Sequence, residues 1–217
     1  MIKNIVLIAP LAAGKGTQAK FMKERYGLPN ISVGELLREV ARSGSELGKH
    51  IDYLQSKRIL VENETTMKVL MDRLNQPDCD NGYVLDGFPR SLEQAKLLEE
   101  ATAGTNREVE CVIMLDVPRE MSLKRTIGRV TCKECGEIYN EFYDTFKEKG
   151  KCNKCNGELF KRNDDNEESF NAGYNVYLTQ TTEAIEYYKN KNILHVVDAS
   201  ISKEYTFSEV AKILGRE

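Results

Sequence analysis

The chain has 217 residues, of which 41% are hydrophobic and 30% charged, and its formal net charge at pH 7 is −3. This composition excludes intrinsic disorder, and it lacks the strong positive charge of a general nucleic-acid coat protein. The length suits one main domain with small inserts. The uncharged run 4–13 is too short to span a bilayer, and the glycine-lysine turn that follows it argues against a signal peptide. We therefore expect a cytoplasmic protein that binds neither nucleic acid nor a membrane.

Short apolar runs alternate with amphipathic segments along most of the chain. Strands are predicted at 5–8, 83–86, 109–117 and 193–197. Helices are predicted at 16–26, within 34–75, and at 91–102, 118–128, 166–190 and 207–214. Strands that alternate with helices in this way predict an α/β fold, in which a parallel sheet has helices on both faces.

The segment Ala12-Ala13-Gly14-Lys15-Gly16-Thr17 lies between the first predicted strand and the first predicted helix. In that position small residues let backbone N–H groups face a phosphate, and the helix N-terminus adds a partial positive charge. Lys15 can reach the β- and γ-phosphates of a nucleotide. The Thr17 hydroxyl either lies near a metal-bound phosphate or caps the helix. The motif in this context predicts a nucleotide-binding P-loop.

Six cysteines are the unusual feature of the composition, and four of them form two Cys-x-x-Cys pairs separated by sixteen residues. These four are Cys132, Cys135, Cys152 and Cys155. The spacing is typical of four thiolates around one tetrahedral, structural Zn²⁺. A redox dithiol pair and two disulfides are the alternatives, and iron is another metal that such a site accepts. Cys79 and Cys111 are expected to be ordinary thiols in a reducing compartment.

Several further motifs occur in a recognisable order. They are Ile31-Ser32-Val33-Gly34-Glu35-Leu36-Leu37-Arg38, Asp86-Gly87-Phe88-Pro89-Arg90, Gln94, Arg125 with Gly128-Arg129, and Arg162-Asn163-Asp164-Asp165. Together with the P-loop and the cysteines, they resemble the adenylate kinases, specifically the long-form bacterial type whose lid binds zinc. The resemblance implies a three-layer α/β/α P-loop core, a helical insert that binds the nucleoside monophosphate, and a small zinc-containing lid. The implied boundaries are core 1–31, insert 32–61, core 62–128, lid 129–166 and core 167–217.

The resemblance also implies a function: reversible transfer of the γ-phosphoryl group of ATP to AMP, which gives two ADP, with Mg²⁺ bound to ATP. Such an enzyme serves nucleotide biosynthesis, its partners are ATP, AMP and ADP, and we expect a monomer. Catalytic roles are implied for Lys15, Asp86, Arg90, Arg125, Arg129 and Arg162. ATP binding is implied for Ala12, Ala13, Gly14, Lys15, Gly16, Thr17, Arg129, Ile138 and Tyr139. AMP binding is implied for Val33, Arg38, Ile59, Leu60, Val61, Gly87, Phe88, Pro89, Arg90, Gln94 and Arg162.

The residue types suit this chemistry. Phosphoryl transfer requires two aligned nucleotides, neutralised negative charge and the exclusion of water, and the planar arginine fork binds phosphate oxygens bidentately. By resemblance, Arg38 and Arg90 would hold the AMP phosphate with Gln94 on its adenine. Asp86 would organise the waters around magnesium.

The chain departs from the family pattern at Ala9, Ala12, Val33, Arg58 and Gly173. Ala9 and Ala12 replace glycines of the P-loop, and alanine costs about 1 kcal/mol or more where φ is positive. Val33 replaces a threonine near the AMP base, and Arg58 a glycine. Gly173 replaces a second lid-side arginine, so we expect slow turnover. A nucleotide-binding module with little catalysis and a kinase for another nucleoside monophosphate therefore remain alternatives, whereas the acidic pI counts against a nucleic-acid-binding zinc-ribbon ATPase.

Overall fold

The computed structural model describes residues 2–56 and 61–216 of the chain. Its strands are β1 (Asn4–Ile8), β2 (Asn30–Ser32), β3 (Tyr83–Asp86), β4 (Cys111–Asp116), β5 (Arg129–Cys132), β6 (Ile138–Asn140), β7 (Leu159–Phe160) and β8 (Leu194–Asp198). Its α-helices are α1 (Lys15–Tyr26), α2 (Val33–Arg42), α3 (Glu46–Ser56), α4 (Asn63–Leu74), α5 (Leu92–Thr102), α6 (Arg119–Ile127), α7 (Glu167–Val176), α8 (Thr182–Asn190) and α9 (Lys203–Ile213). A 3-10 turn at Pro77–Cys79 and a π-helical segment at Tyr177–Thr181 also occur in these ranges.

The central sheet is parallel and has the strand order β2-β3-β1-β4-β8. β1 lies in the middle and is buried along its whole length. Because successive side chains point to opposite faces of a strand, Val6 and Ile8 belong to one hydrophobic cluster, whereas Ile5 and Leu7 belong to another. The neighbouring strands and the helices on each face supply the rest of both clusters. The predicted α/β/α core with a parallel sheet is therefore confirmed.

Most predicted elements occur within a few residues of their expected bounds. The strand at 83–86 matches β3, and Ser91 caps α5 as expected, since its hydroxyl accepts a hydrogen bond from the Gln94 N–H. The last helix begins earlier than predicted, at Lys203 instead of 207, because the Ser202 hydroxyl caps it. β2 was not predicted. It has three residues, too few to show a periodic pattern.

Two further units stand beside this core. β5, β6 and β7 form a separate antiparallel sheet in the order β6-β5-β7, and Cys132 is the last residue of β5. The second unit lies earlier in the chain, where α2 and α3 pack on each other within the predicted monophosphate-binding insert. Throughout 2–56 and 61–216, every helix is too short or too polar to cross a bilayer.

Candidate functional site

A cavity of about 550 Å³ lies beside the carboxyl ends of β1 and β3. This is the edge at which parallel α/β sheets bind ligands, because loops and helix N-termini converge there. The loop after β1 contributes Gly14 and Lys15 to the cavity wall, and β3 contributes its last residue, Asp86. The antiparallel sheet contributes Arg129 from β5. The segment around Gly14 and Lys15 thus lies between the first strand and the first helix, as predicted, and borders this cavity.

The backbone N–H groups in the first turn of α1 are free of a side-chain cap and can bind an anion. Gly14 is the N-cap of α1 in the left-handed conformation, with φ of +100°, and no side chain caps this helix. The uncapped N–H groups and the helix dipole favour a phosphate. Thr17 is therefore not the cap, and its side chain lines the cavity. Ala12 has φ of +52°, so one of the two alanine substitutions falls on a strained position, whereas Ala9 has no positive φ.

Lys15 and Asp86 are oppositely charged residues that line the cavity and interact electrostatically. The Lys15 ammonium donates to the carbonyls of Ala9 and Pro10 at 3.2 and 3.4 Å. Burial lowers the pKa of Lys15, an effect that Asp86 partly offsets. Burial also raises the pKa of Asp86, and here Lys15 and Arg90 oppose the shift. Both groups are poorly solvated, so an incoming phosphate or metal ion would supply charge compensation that the protein alone lacks.

Two arginines that line the cavity, Arg125 and Arg129, are held by hydrogen bonds from within the protein. Arg129 Nε donates to Asp165 Oδ2 at 2.9 Å, and its Nη2 donates to Oδ1 of the same carboxylate. Asp165 is 4% exposed, so this bidentate pair is largely shielded from water. Arg125 Nη1 donates to the Ala199 carbonyl at 2.9 Å. The guanidinium groups of both arginines are thus oriented by the protein itself.

Arg38 also lines the cavity, and its Nη2 donates to Glu35 Oε2 at 2.6 Å. Arg38 lowers the pKa of Glu35, so this carboxylate stays ionised and competes for the guanidinium. Arg162 also lines the cavity. A phosphate that binds Arg38 must therefore displace or share an ion pair that is exposed to water and correspondingly weak.

The turn 87–90 connects β3 to α5. Arg90 Nε donates to the Gly87 carbonyl and the Arg90 N–H donates to Gln94 Oε1, both at 2.8 Å. Gln94 Nε2 donates to Asn63 Oδ1 at 2.9 Å. Val33 and Phe88 are buried in the hydrophobic core at 4% and 2% exposure, so they support this region from beneath.

Some of the residues predicted to bind nucleotides or to act in catalysis line this cavity, and others do not. Predicted residues that line it are Ala12, Ala13, Gly14, Lys15, Gly16, Thr17, Arg38, Asp86, Arg125, Arg129, Ile138, Tyr139 and Arg162. Predicted residues that lie outside its lining are Val33, Val61, Gly87, Phe88, Pro89, Arg90 and Gln94. Ile59 and Leu60, and the departure Arg58, lie outside the described residues.

The cavity also has lining residues that the sequence did not indicate. They are Gln18, Asn30, Ser32, Glu35, Asn140, Tyr143, Asp144, Ala199, Lys203 and Thr206. Ala199 and Lys203 follow β8, and the rule that ligands bind beyond the carboxyl ends of strands could have indicated them. Tyr143 and Asp144 come from the cysteine-containing insert, and no local pattern marks them.

The four clustered cysteines bring their thiols together in the arrangement of a metal site. Their Sγ atoms lie within 4.8 Å of one another, with Cys132 to Cys155 at 3.5 Å and Cys135 to Cys152 at 3.6 Å. Tetrahedral zinc with bonds of about 2.3 Å spaces its sulfur ligands about 3.8 Å apart, so the geometry fits. All four cysteines are free thiols in this structure, as a metal site requires. The Tyr139 hydroxyl lies 3.3 Å from Cys152 Sγ, the kind of outer contact that orients a metal ligand.

Gly173 lies in α7 beside the P-loop. A Cβ atom at this position would lie 3.1 Å from Cδ2 of Leu11, which is tighter than ordinary van der Waals contact. Arg119, on the neighbouring helix α6, donates to Asn171 Oδ1 at 2.5 Å. Arg119 does not line the cavity, so it does not replace the expected arginine in this arrangement.

The chain is similar to known proteins over nearly its whole length. The family model described as adenylate kinase matches residues 7–193. A protein named adenylate kinase from Archaeoglobus fulgidus is 44% identical over 211 residues, which cover 97% of each chain. Proteins of the same name from Caldicellulosiruptor saccharolyticus and Thermodesulfovibrio yellowstonii are 42% and 41% identical, over 100% and 99% of this chain and the full length of each relative.

Proposed function

The chain belongs to the adenylate kinase family and transfers the γ-phosphoryl group of ATP to AMP; we propose that the cavity beside β1 and β3 is where both nucleotides bind. The observation behind this proposal is the convergence of Lys15, Arg38, Arg125, Arg129 and Arg162 on one cavity. Two nucleotides bring several negative charges into contact, and this number of cations can neutralise them.

We propose that the P-loop binds the ATP phosphates. The N–H groups at the start of α1 would bind the phosphate oxygens, and Lys15 would exchange its carbonyl partners for the β- and γ-phosphates. Arg129, oriented by Asp165, would face the transferred phosphoryl group. Because these groups are already oriented, little reorganisation is needed as charge develops.

We propose that AMP binds on the side of Arg38 and Arg90. Arg38 would give up its exposed ion pair with Glu35 for the AMP phosphate. Gln94 Nε2, which donates to Asn63 in this structure, would donate to the adenine instead, while Gln94 Oε1 keeps its hydrogen bond from the Arg90 N–H. Val33 is buried, so the missing threonine hydroxyl removes one polar contact without opening the core.

Mg²⁺ is the expected companion of ATP, and it would supply positive charge between the phosphate groups. The residue suited to hold the water molecules around Mg²⁺ is Asp86, which lines the cavity and whose pKa is raised by burial. A nearby divalent cation would favour the ionised carboxylate and offset the cost of burial. Asp86 would therefore hold water molecules in the space beside Lys15.

We propose that zinc binds Cys132, Cys135, Cys152 and Cys155 and has a structural role. All four positions around the ion would be filled by sulfur, so no position would remain for substrate. The segment around these residues contains short strands and little buried apolar surface, so it would depend on the metal for stability. Metal analysis of the purified chain would test this, with iron as the competing result.

We propose that residues 129–166 act as a lid and residues 32–61 as a monophosphate-binding insert on the remaining core. Support comes from the separate antiparallel sheet of 129–166 and from the pair formed by Lys20 of α1 and Glu137 of the lid at 2.8 Å. This exposed ion pair is weak enough to break when the lid opens. Closure would exclude water that otherwise hydrolyses ATP.

The acceptor preference is the sharpest test of this assignment. Steady-state rates with AMP, CMP, UMP and GMP, each with ATP and Mg²⁺, should give the highest kcat/KM with AMP. A higher kcat/KM with another monophosphate would contradict the proposed adenine contact of Gln94. Tight binding of a bisubstrate dinucleotide with negligible turnover would instead favour a nucleotide-binding module. We propose an intermediate result, namely AMP preference with slow turnover, because Gly173 replaces a charged residue.

We propose a monomeric, cytoplasmic protein that binds neither nucleic acid nor a membrane. The net charge of −3 gives no electrostatic attraction to polyanions, and the six cysteines are unpaired, as in a reducing compartment. Light scattering after size-exclusion chromatography would test the monomer. Two subunits per particle at micromolar concentration would contradict it.

A further inference from the structure

A π-helical segment, Tyr177–Thr181, separates α7 from α8. The π-helix is rare and widens the helix by one residue per turn, which changes the direction in which the following side chains point. Such segments are frequent at functional sites. This one ends at Thr181, which is 6% exposed and faces the core of the protein. A buried hydroxyl such as that of Thr181 needs a hydrogen-bond partner.

Neighbouring threonines show the ordinary behaviour of this side chain in a helix. Thr179 Oγ1 donates to the Asn175 carbonyl at 2.9 Å, and Thr182 Oγ1 donates to the Leu178 carbonyl at 2.8 Å. Both bonds stay within the helix, four residues back, as is usual for threonine. Thr181 differs, because its Oγ1 donates to the carbonyl of Arg90 at 3.1 Å, 91 residues away in sequence.

The Arg90 backbone is thereby fixed from two directions. Its N–H donates to Gln94 Oε1 on α5, and its carbonyl accepts from Thr181 on the other side. The Arg90 side chain is also folded back onto the Gly87 carbonyl. Fixing N–H and C=O together sets the direction of the Cα–Cβ bond, from which the long side chain extends. A binding group must be held within about 0.5 Å of its productive position, so backbone anchoring of this kind affects ligand affinity.

We propose that Thr181 is a positioning residue for Arg90 and thereby for the phosphate of AMP. The inference rests on the proposed function, in which Arg90 binds that phosphate. Thr181 does not touch the nucleotide; it acts through the Arg90 carbonyl. Loss of one such hydrogen bond is expected to weaken AMP binding by about 3- to 10-fold. ATP binding should change much less, because the P-loop has no part in this contact.

The main variant is Thr181→Val, which keeps the shape of the side chain and removes the hydroxyl. Thr181→Ser keeps the donor and should restore most of the AMP affinity. Thr182→Val is the matched control, since it removes a neighbouring hydroxyl that bonds within its own helix. Calorimetric titration of AMP and of a non-hydrolysable ATP analogue, with Tm for each variant, separates positioning from general destabilisation. A purely structural role would lower Tm without a selective loss of AMP affinity.

Arg90→Met separates failure of the inference from failure of the proposed function. If Arg90→Met leaves AMP affinity unchanged, the proposed role of Arg90 is wrong, and the inference falls with it. If Arg90→Met weakens AMP binding but Thr181→Val does not, the inference alone is overturned. In the Arg90→Met background, Thr181→Val should cause no further loss of AMP affinity. A full additional loss there would show that Thr181 acts independently of Arg90 and would also overturn the inference.

Discussion

Leu11 occupies the space beside Gly173 into which a side chain at that position would extend. A Cβ atom at 173 would lie 3.1 and 3.4 Å from the two methyl carbons of Leu11. The Leu11 carbonyl also accepts a hydrogen bond from the Ser122 hydroxyl, which holds the loop in place. Leu11 of the P-loop and Gly173, where the family arginine is missing, are therefore neighbours in space. A side chain at position 173 would therefore require the Leu11 side chain to shift.

An arginine introduced at position 173 is expected to raise kcat only if the neighbouring Leu11 leaves room for its side chain. Gly173→Arg alone should give little gain in kcat, because Leu11 crowds the new side chain. Leu11→Ala with Gly173→Arg should raise kcat on the order of 10-fold or more, since arginines on a transferring phosphoryl group have large effects. Coupled ADP-production assays would measure this, with Leu11→Ala and Gly173→Ala as controls. If Gly173→Arg raised kcat equally with Leu11 present and with Leu11→Ala, Leu11 would not be the obstacle.

Ala12 is expected to be a destabilising residue of the P-loop. Its φ of +52° lies in the left-handed region, which costs about 1 kcal/mol or more for a residue with a Cβ. Ala12→Gly should therefore raise Tm by roughly 2–4 °C. The matched control is Ala13→Gly, which is buried and has no positive φ, so it should lower Tm. Equal effects of the two changes would contradict the strain at Ala12.

Removal of zinc is expected to destabilise the lid and to weaken ATP binding more than AMP binding. The reason is that Arg129 and Tyr139 lie on the sheet next to Cys132, whereas Arg38 lies on α2. A loss of about 2 kcal/mol would lower Tm by roughly 4–8 °C. Calorimetry before and after chelation, with titration of each nucleotide, measures both effects. In Cys155→Ser, which lacks one ligand, chelation should cause a smaller change; an equal change would argue against this site.

Asp86 is expected to lower stability at neutral pH. Its pKa is raised by burial, with Lys15 and Arg90 opposing, so the folded chain holds the proton more tightly than the unfolded chain. Stability therefore falls as the pH rises through the interval between the unfolded and the folded pKa. Asp86→Asn, which stays uncharged, should be the more stable form at pH 7.5, and its advantage should shrink toward about pH 4. Urea denaturation at both pH values measures this.

Asp198 provides a control of opposite sign for the same experiment. Hydrogen bonds from Ser200 lower the pKa of Asp198, so its contribution is present above the ordinary pKa of aspartate and is lost as the pH falls through the lowered value. Asp198→Asn should therefore be less stable than the unchanged chain at pH 7.5, with a smaller difference in acid. If both variants shifted stability in the same direction with pH, the assignment for Asp86 would be wrong.

Features that depend on short stretches of chain could be predicted from the sequence. The alternation of strands and helices, the glycine-lysine loop, the cap at Ser91 and the two Cys-x-x-Cys pairs are local patterns, and each has its physical cause within a few residues. Several such motifs in one order were also sufficient to indicate the family. β2 was missed because its three residues form a strand only by pairing with β3.

The tertiary structure decided which distant residues meet. Asp165 orients Arg129 from 36 residues away, Thr181 bonds Arg90 from 91 residues away, and Leu11 fills the space at Gly173. No local propensity encodes these contacts, since they arise when helices and loops from separate parts of the chain pack at the same edge of the sheet. The sequence names the charged groups of the site, whereas packing fixes their direction, their partners and the room left between them.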